Sequence, residues 1–464
     1  MSVYRTAQLL LDIRRAEKEG PIKLERRRAT RLAAAVSHAR THSPYYRELY
    51  SGLPEYVGDT TTLPITDKKS LMGRFDDWVT DRDVSLERAV AFTDDPALVG
   101  TDFLGKYRVG TTSGSSGVRG IFVFDKRSTA VTSALALRSF KSWLRPADVR
   151  AIVRGGGRMA YVMALGGHFA SSTVLPRSIV RDGKGSKTVR GFSVFSPLPE
   201  IVDELNRFQP NILVGYAGQV ALLAGEQEAG RLRISPRLVV LSAEGLTEQG
   251  YERIARVFDA RIANSYSATE FMSAAVSCAH GWLHVNADWV ILEPVDAEYR
   301  PVPAGEHSHT VLLTNLANRV QPILRYDLGD SVLTRPDPCP CGSPFTAIRI
   351  KGRSTEALTF HDVRSRAVGV PPGALALVVD MAPGLELAQV VQTSRTALSV
   401  RIKPARDADA DHVWDNVRSE VHRFLGEHGL PNVEVTLDTD APQQSAGGKY
   451  RLIITLDEAR EDVT

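Results

Sequence analysis

Cysteine is nearly missing, with three residues in 464. An odd, low count excludes the disulfide framework of a small secreted domain. Long apolar runs are missing too. None reaches the roughly 18 residues that a membrane span needs. The apolar patch in MSVYRTAQLLLDIRRAEKEG is cut by Asp12 and an arginine pair. No signal-peptide cleavage pattern is visible, so the expected location is the cytoplasm, without a membrane partner. Charge of one sign is also scarce: the formal net charge is +3. Basic clusters such as Arg26–Arg28 are short and read as the wet face of a helix, so nucleic acid is not an expected partner. Repeats and low-complexity tracts are absent. What remains is 43% hydrophobic and 24% charged. That is an ordinary globular composition, on a chain long enough for two or more domains.

Residues 22–41 read as an amphipathic helix, with Ala29, Leu32, Ala33 and Val36 on one face. Pro44 marks a break. LPITDKKSLM (63–72) reads as a turn and then a helix capped by Thr66. GIFVFD reads as a strand that follows TTSGSSGVRG (111–120). From 199 to 270 the pattern alternates: helix 199–208, NILVGY, helix 217–229, RLVVLSAEG, helix 247–258 and ARIANSY. Strands alternating with helices predict parallel α/β units, whose ligands bind where strands end. From 288 the pattern is β-rich (WVILEPV, TVLLTNL, ILRYDLGD, FTAIRIKG), and GRSTEALTF is a junction. The last hundred or so residues alternate strands and helices through LALVVDM, AQVVQTS, LSVRIK, a helix at 410–428 and VEVTLD. That length suits a small α+β domain. The acidic tail LDEAREDVT is expected to fray.

The three cysteines fall into two close pairs of metal-ligand type, Cys278-Ala-His280 and Cys339-Pro-Cys341. Together they predict a closed Cys₃His zinc site, which would be structural. Pro340 and Gly342 supply a turn that aims two thiolates at one point. His284 rivals His280 as the nitrogen ligand, and the sequence leaves the choice open.

TTSGSSGVRG lacks the Gly-Lys-Ser/Thr ending of the familiar phosphate loop. Its hydroxyls and backbone N–H groups can still cradle phosphates. In NSYSATE (264–270), Tyr266 offers a flat face for a base, Thr269 a phosphate donor, and Glu270 a carboxylate for Mg²⁺. RYDLGD (325–330) ends in Asp330, which can accept from ribose hydroxyls. SAGGKYR (445–451) carries Lys449, which can stabilise charge at a phosphorus centre. These four stretches supply what nucleotide chemistry needs.

Their order and spacing resemble the adenylate-forming superfamily, and within it the phenylacetate-CoA ligase branch, over nearly the whole chain. HARTHSPYYRELY and LPITDKKSLM resemble that branch's first segments. FQPNILVGYAGQVALLA, LVVLSAEGLT and FDARIANSYSATEF resemble its central run, in the same order. The resemblance implies an α/β fold with a large N-terminal adenylate-forming domain (1–352) of parallel and mixed sheets with helices. A small, mobile α+β domain (353–464) would carry the catalytic lysine. It implies that Thr112, Ser113, Gly114, Ser115, Ser116 and Gly117 form the phosphate loop. Ala243, Glu244 and Gly245 would flank adenine, and Asn264, Ser265, Tyr266 and Ser267 would line the nucleotide. Thr269 and Glu270 would bind phosphate and Mg²⁺, Asp330 the ribose, and Arg353 would belong to the hinge. Lys449 would bridge carboxylate and phosphate. His168, Tyr216 and Ser267 would line the acyl pocket, where Gly166, Gly167 and Ala217-Gly218 leave room for a ring.

The chain departs from the pattern at four places. Arg119-Gly120 stand where the superfamily loop usually ends in Pro-Lys. Thr355-Glu356 stand in the hinge, Ser267 replaces a glycine, and Ala217-Gly218 replace Pro-Ser. The implied activity is ATP-dependent: a small, aryl acid is activated as acyl-AMP and passed to CoA. The alternative keeps adenylation and changes the acceptor, to an amine (amide formation) or to nitrite-dependent diazotisation of an aryl amine. ATP, Mg²⁺, a structural zinc and CoA are the implied cofactors and co-substrates, and a homodimer is left open.

Overall fold

The computed structural model describes residues 3–112, 119–183, 185–243, 248–350, 358–370, 372–405, 408–443 and 452–456. The first long amphipathic segment is the helix Pro21–His42, with proline in its first turn, where no N–H partner is lost. It buries Leu24, Leu32, Val36 and Ala39. Ala29 and Ala33 lie at the edge of that stripe, half-buried. Ser43 accepts the Tyr46 N–H and caps a new short helix, Pro44–Leu49. The helix in LPITDKKSLM is Lys68–Gly73, and its cap is Asp67 rather than Thr66. Thr66 instead donates its hydroxyl to the Leu324 carbonyl at 3.0 Å.

Strand β1 (Arg108–Thr111) and β2 (Ile121–Phe124) form an antiparallel hairpin in which Thr111 faces Ile121. Side chains complete the other edge of β2. Gln321 accepts from Val123 N–H (2.7 Å) and donates to Ile121 O (3.1 Å), and Asn318 donates to Val123 O (2.8 Å). Buried backbone groups that would be costly to leave unpaired are thereby satisfied.

The alternating run builds the main sheet. β3 (Met159–Met163), β4 (Val189–Ser193), β5 (Ile212–Tyr216), β6 (Leu238–Ser242) and β7 (Arg261–Ala268) are parallel. The helices Leu198–Phe208, Ala217–Glu228 and Glu248–Phe258 connect them, as the periodicity predicts. The sheet then turns antiparallel through β8 (Phe271–Ser277) and β9 (Leu283–Val285). A separate three-stranded sheet follows, with β10 (Val290–Val295), β11 (Thr310–Asn315) and β12 (Tyr326–Asp327). β13 (Val332–Thr334) and β14 (Ala347–Ile350) return to the main sheet. Its nine strands run in the order β13-β14-β9-β8-β7-β6-β5-β3-β4.

After residue 357 come the hairpin β15 (Leu358–His361) and β16 (Ala367–Val370), then β17 (Leu385–Ser394), β18 (Ala397–Pro404), β19 (Glu434–Leu437) and β20 (Ile453–Ile454). The last four make one sheet, ordered β19-β18-β17-β20. The helix Ala410–Glu427 packs on it through Val413, Val417, Val421, Phe424 and Leu425. LALVVDM opens this alternation as a helix, Pro372–Asp380. Its buried positions, Ala374, Leu375, Val378 and Val379, repeat at helical spacing. One apolar cluster joins these residues to the parallel half of the main sheet. Gly369 of β16 lies so close to Leu222 that a side chain there would collide with it. Among the described residues no helix is long and apolar enough to cross a membrane.

Candidate active site

The site lies where the parallel strands end, beside the β1–β2 hairpin. Thr112 N–H donates to Gly120 O at 3.0 Å, and Gly120 N–H donates to Thr112 Oγ1 at 2.9 Å. These two bonds close the neck of TTSGSSGVRG. Position 120 has no room for the lysine that usually ends the superfamily's loop. A Cβ there would stand 2.6 Å from Phe122 Cε2 and 2.9 Å from Thr112 Oγ1. Arg119 turns to Asp94, with Nη1 2.9 Å from Oδ1. Ser113, Gly114, Ser115, Ser116 and Gly117 lie outside the described residues.

The neck is tied to two other predicted site residues. Thr111 N–H and Oγ1 both donate to the His168 carbonyl, at 2.7 and 3.0 Å. Gly110 passes Thr269 closely enough that a Cβ would sit 3.4 Å from its Cγ2. The hairpin base, the His168 loop and the Thr269 turn therefore meet at one place.

β7 carries the nucleotide candidates. Tyr266 donates its hydroxyl to Asp330 Oδ2 at 2.7 Å. Burial, with Asp330 beside it, pushes the phenol well above its ordinary range, so it stays a donor. Glu270 is buried after the end of β7, and its carbonyl accepts from Asn315 Nδ2 at 2.9 Å. Burial raises its carboxyl. The Lys68 ammonium and a hydrogen bond from the Tyr326 hydroxyl pull it back. Ser267 Oγ accepts the Ser273 N–H at 3.0 Å and lies 3.5 Å from Ser265 Oγ. Its hydroxyl thus braces the irregular stretch of the β7–β8 pairing, where Ser273 of β8 has a positive φ of 64°. Asn264 turns away, its Nδ2 donating to Tyr251 Oη at 2.9 Å. Ala243, at the end of β6, has φ of 69° and is exposed. Glu244, Gly245, Arg353 and Lys449 lie outside the described residues.

On the acyl side, Tyr216 accepts the Ala164 N–H at 3.3 Å, linking β5 to the loop after β3. His168 is buried, and among the described residues its Nε2 has no hydrogen-bond partner. Its ring tilts on Phe92 at 4.7 Å. Burial, and then the Arg119 charge, lower its pKa to about 4, so the ring is neutral at physiological pH. Gly167 does not leave free space, because Phe169 occupies it: a Cβ would stand 2.7 Å from that ring.

At the other end of the main sheet stands a Cys₃His cluster of Cys278, His284, Cys339 and Cys341, with ligand atoms within 4.8 Å of one another. His280 is not in it. It lies exposed in the Cys278–Gly281 turn, where its N–H points at Cys278 Sγ (3.4 Å). The cause is register. β8 and β9 pair Val276 with His284, which returns the second histidine beside the thiols. Cys278 and Cys339 Sγ are 3.7 Å apart, and Cys341 Sγ is 3.1 Å from His284 Nε2. Phe345 O lies 2.9 Å from Nδ1, which assigns the proton to that nitrogen and leaves Nε2 as the ligand atom. This donor set fits zinc: soft thiolates, one oriented imidazole, and four atoms converging.

Sequence reasoning passed over Lys68, Tyr326, Asn318 and Gln321. Tyr326 sat inside RYDLGD and Lys68 inside LPITDKKSLM, both noted for other residues. Asn318 and Gln321 carry no local signal, because their partners are about 200 positions away.

No family model matches the chain. A curated protein, CapK of Staphylococcus aureus, is 23% identical over 258 residues, 54% of this chain. The chain spans about half the length of that relative, 54%. Among solved structures, 2-hydroxyisobutyryl-CoA ligase with 2-HIB-AMP and CoA, in its thioesterification state, superposes with a TM-score of 0.59. The two share 19% identity over 97% of this chain and 94% of that one. The same ligase with R3-HIB-AMP after adenylation gives 0.55 at 18% identity and the same coverage. The chain thus has the mixed α/β fold of adenylate-forming ligases along nearly its whole length.

Proposed function

We propose that this chain is an ATP-dependent, AMP-forming ligase that activates a small aryl carboxylate and transfers the acyl group to CoA. One arrangement supports this most. Buried Glu270 and the Tyr266–Asp330 pair lie beside the neck of a Ser/Thr/Gly loop, at the carboxyl ends of the strands. That is where α/β sheets bind ligands. The same fold holds acyl-AMP and CoA in the ligase described above.

In this proposal Asp330 accepts from the ribose hydroxyls, and Tyr266 presents its ring to the base. Thr269 and the loop Thr112–Gly117 donate to phosphates. Ala243, Glu244 and Gly245 border the adenine, and His168 and Tyr216 border the acid. Glu270 suits Mg²⁺: it is a hard oxygen donor, and burial that disfavours its lone charge favours a cation brought in with phosphate. In the first step a carboxylate oxygen bonds to the α-phosphorus and the bond to pyrophosphate breaks. In the second a thiolate bonds to the acyl carbon and AMP leaves. Residues 353–464 form the small mobile domain, and Lys449 serves the first step only. Cys278, His284, Cys339 and Cys341 hold a structural zinc that joins two distant turns.

The test is pyrophosphate release from ATP over a panel of aryl and short acyl acids, with CoA, an amine, or aryl amine plus nitrite. Aryl-acid-dependent release with thioester formation is expected. Release only with amine or with nitrite transfers the assignment to those acceptors. No release with any combination rejects adenylation.

A further inference from the structure

Asp330 lies between β12 and β13, outside either strand, one residue past Gly329 with its φ of 71°. Tyr266 holds one of its oxygens, Oδ2, at 2.7 Å. The backbone that presents it is fixed by a second carboxylate of the same stretch, Asp327, which the function proposed above does not use. Asp327 Oδ1 accepts the Gly329 N–H at 2.9 Å and also the Thr310 hydroxyl. Thr310 Oγ1 shares that N–H, accepting it at 3.0 Å. Asp327 Oδ2 accepts the Tyr299 hydroxyl at 2.9 Å. The backbone on either side is paired as well. Asp327 N–H donates to Thr66 O at 2.9 Å, and Leu328 N–H donates to Val311 O at 3.1 Å. Both oxygens of Asp327 are therefore engaged, whereas Asp330 Oδ1 has no hydrogen-bond partner among the described residues.

Tyr299 is the member of this group that local rules do not explain. It stands in the loop between β10 and β11 with φ of 60°. A bulky side chain enters that left-handed region only at a cost, and such residues cluster where a site requires them. The loop is wound tightly around Asp296, whose Oδ1 accepts the N–H groups of Glu298 (3.0 Å) and Arg300 (2.9 Å). Tyr299 N–H donates to the Asp296 carbonyl at 3.1 Å. Burial does not account for the conformation, because the side chain is 40% exposed. Its one hydrogen bond through the hydroxyl among the described residues is the one to Asp327. Partial burial, and then Asp327, push the phenol up to about 12, so it stays a donor. Val295 faces Thr310 in the β10–β11 ladder. The Tyr299 loop and Thr310 thus leave one rung and meet again on the Asp327 carboxylate.

We propose that Asp327 and Tyr299 are positioning residues for the nucleotide ribose. Tyr299 holds Asp327, Asp327 and Thr310 hold the Gly329 N–H, and the turn then presents the unpaired oxygen of Asp330 to the ribose hydroxyls. Neither residue touches the nucleotide. The inference rests on the ligase reading above, through the role that reading gives Asp330.

The experiment titrates the full chain with Mg·ATP and with Mg·2′,3′-dideoxy-ATP. It compares wild type with Tyr299→Phe, Asp327→Asn and Asp330→Ala, with thermal melts in parallel. Wild type should bind ATP more tightly than the dideoxy nucleotide. Tyr299→Phe removes one hydroxyl, and Asp327→Asn turns an acceptor into a donor. Each should weaken ATP on the order of 3- to 10-fold and leave dideoxy-ATP affinity unchanged. Added to Asp330→Ala, neither should weaken ATP further, because both act through the same carboxylate. Wild-type ATP affinity in either variant overturns the inference and leaves the ligase reading standing. An equal loss of ATP and dideoxy-ATP also overturns it, because the role would then belong to the fold at large. A wild-type chain that binds both nucleotides equally takes the ribose from Asp330 and overturns the inference, while adenylation is judged by pyrophosphate release. A wild-type chain that binds neither overturns the ligase reading, and this inference with it.

Discussion

Gly120→Ala tests the loop neck with a single methyl group. The new Cβ would stand 2.6 Å from Phe122 Cε2 and 2.9 Å from Thr112 Oγ1. Phe122 has nowhere to go: it is 1% exposed and meets the Trp78 ring edge-on at 6.1 Å. Thr112 can retreat only by giving up the Gly120 N–H. Overpacking of this kind costs about 1–3 kcal/mol, and the lost hydrogen bond about 1 kcal/mol. The expected destabilisation is thus about 2–4 kcal/mol. Thr112→Ala removes the bond and one of the two collisions, so alone it should cost about 1 kcal/mol. Added to Gly120→Ala, it should cost less than the sum, because the two residues touch. Denaturant midpoints at constant slope measure all three variants. The KM for ATP should rise in Gly120→Ala, since the neck aims the loop. A Gly120→Ala protein within about 0.5 kcal/mol of wild type, with unchanged KM for ATP, would refute the steric reasoning. The missing lysine would then need another cause.

Metal content should separate the two histidines. His280→Ala should keep its zinc, and His284→Ala should lose most of it, as elemental analysis after dialysis would show; equal retention in both would displace His284. Stability should depend on pH through His168. Its pKa is lowered on folding to about 4, so the unfolded chain binds more protons between there and the ordinary value of about 6.5. Stability is then lost as pH falls through that window, and His168→Phe should flatten the slope; an unchanged slope assigns it to other groups. Lys449→Ala should slow pyrophosphate release by on the order of 10² or more and spare thioester formation from a pre-made acyl-adenylate. Near-normal pyrophosphate release in that variant would remove Lys449 from the mechanism.

Local rules read most of the main sheet from the sequence. Helices 199–208 and 217–229 and the strand NILVGY carry an alternation that burial dictates, and they stand within a residue or so of where the periodicity puts them, while the strand in RLVVLSAEG stops at Ser242. LALVVDM shows the limit of that rule. A short apolar run is compatible with a strand or a buried helix, and packing against the sheet at 374, 375, 378 and 379 decided for the helix. Thr66 shows another limit. Thr and Asp are both good caps, and what removed Thr66 was a pairing with Tyr326, 260 residues away. The site residues divide in the same way. Tyr266, Asp330 and Glu270 could be picked out as nucleotide candidates because their residue types stand in short stretches. Lys68 could not, because its charge acts on Glu270 only where the pairing of Thr66 with β12 places its segment.

The Cys₃His cluster carries the same lesson into function. Nearness in sequence favoured His280, two residues from Cys278, but a tight turn throws that side chain outward, while the antiparallel return brings position 284 back. The cluster also reaches the site through the strands. Ser277, next to Cys278, accepts the Asn264 N–H of β7 at 2.7 Å through its hydroxyl, and its carbonyl accepts from Trp143 at 2.9 Å. Two residues further along β7 is Tyr266, whose hydroxyl holds Asp330. A staple at Cys278 therefore fixes the end of β8, β8 fixes the start of the Asn264–Tyr266 run, and that run fixes the aromatic face and the carboxylate assigned to the nucleotide. A structural metal placed there would act on nucleotide affinity without touching the nucleotide.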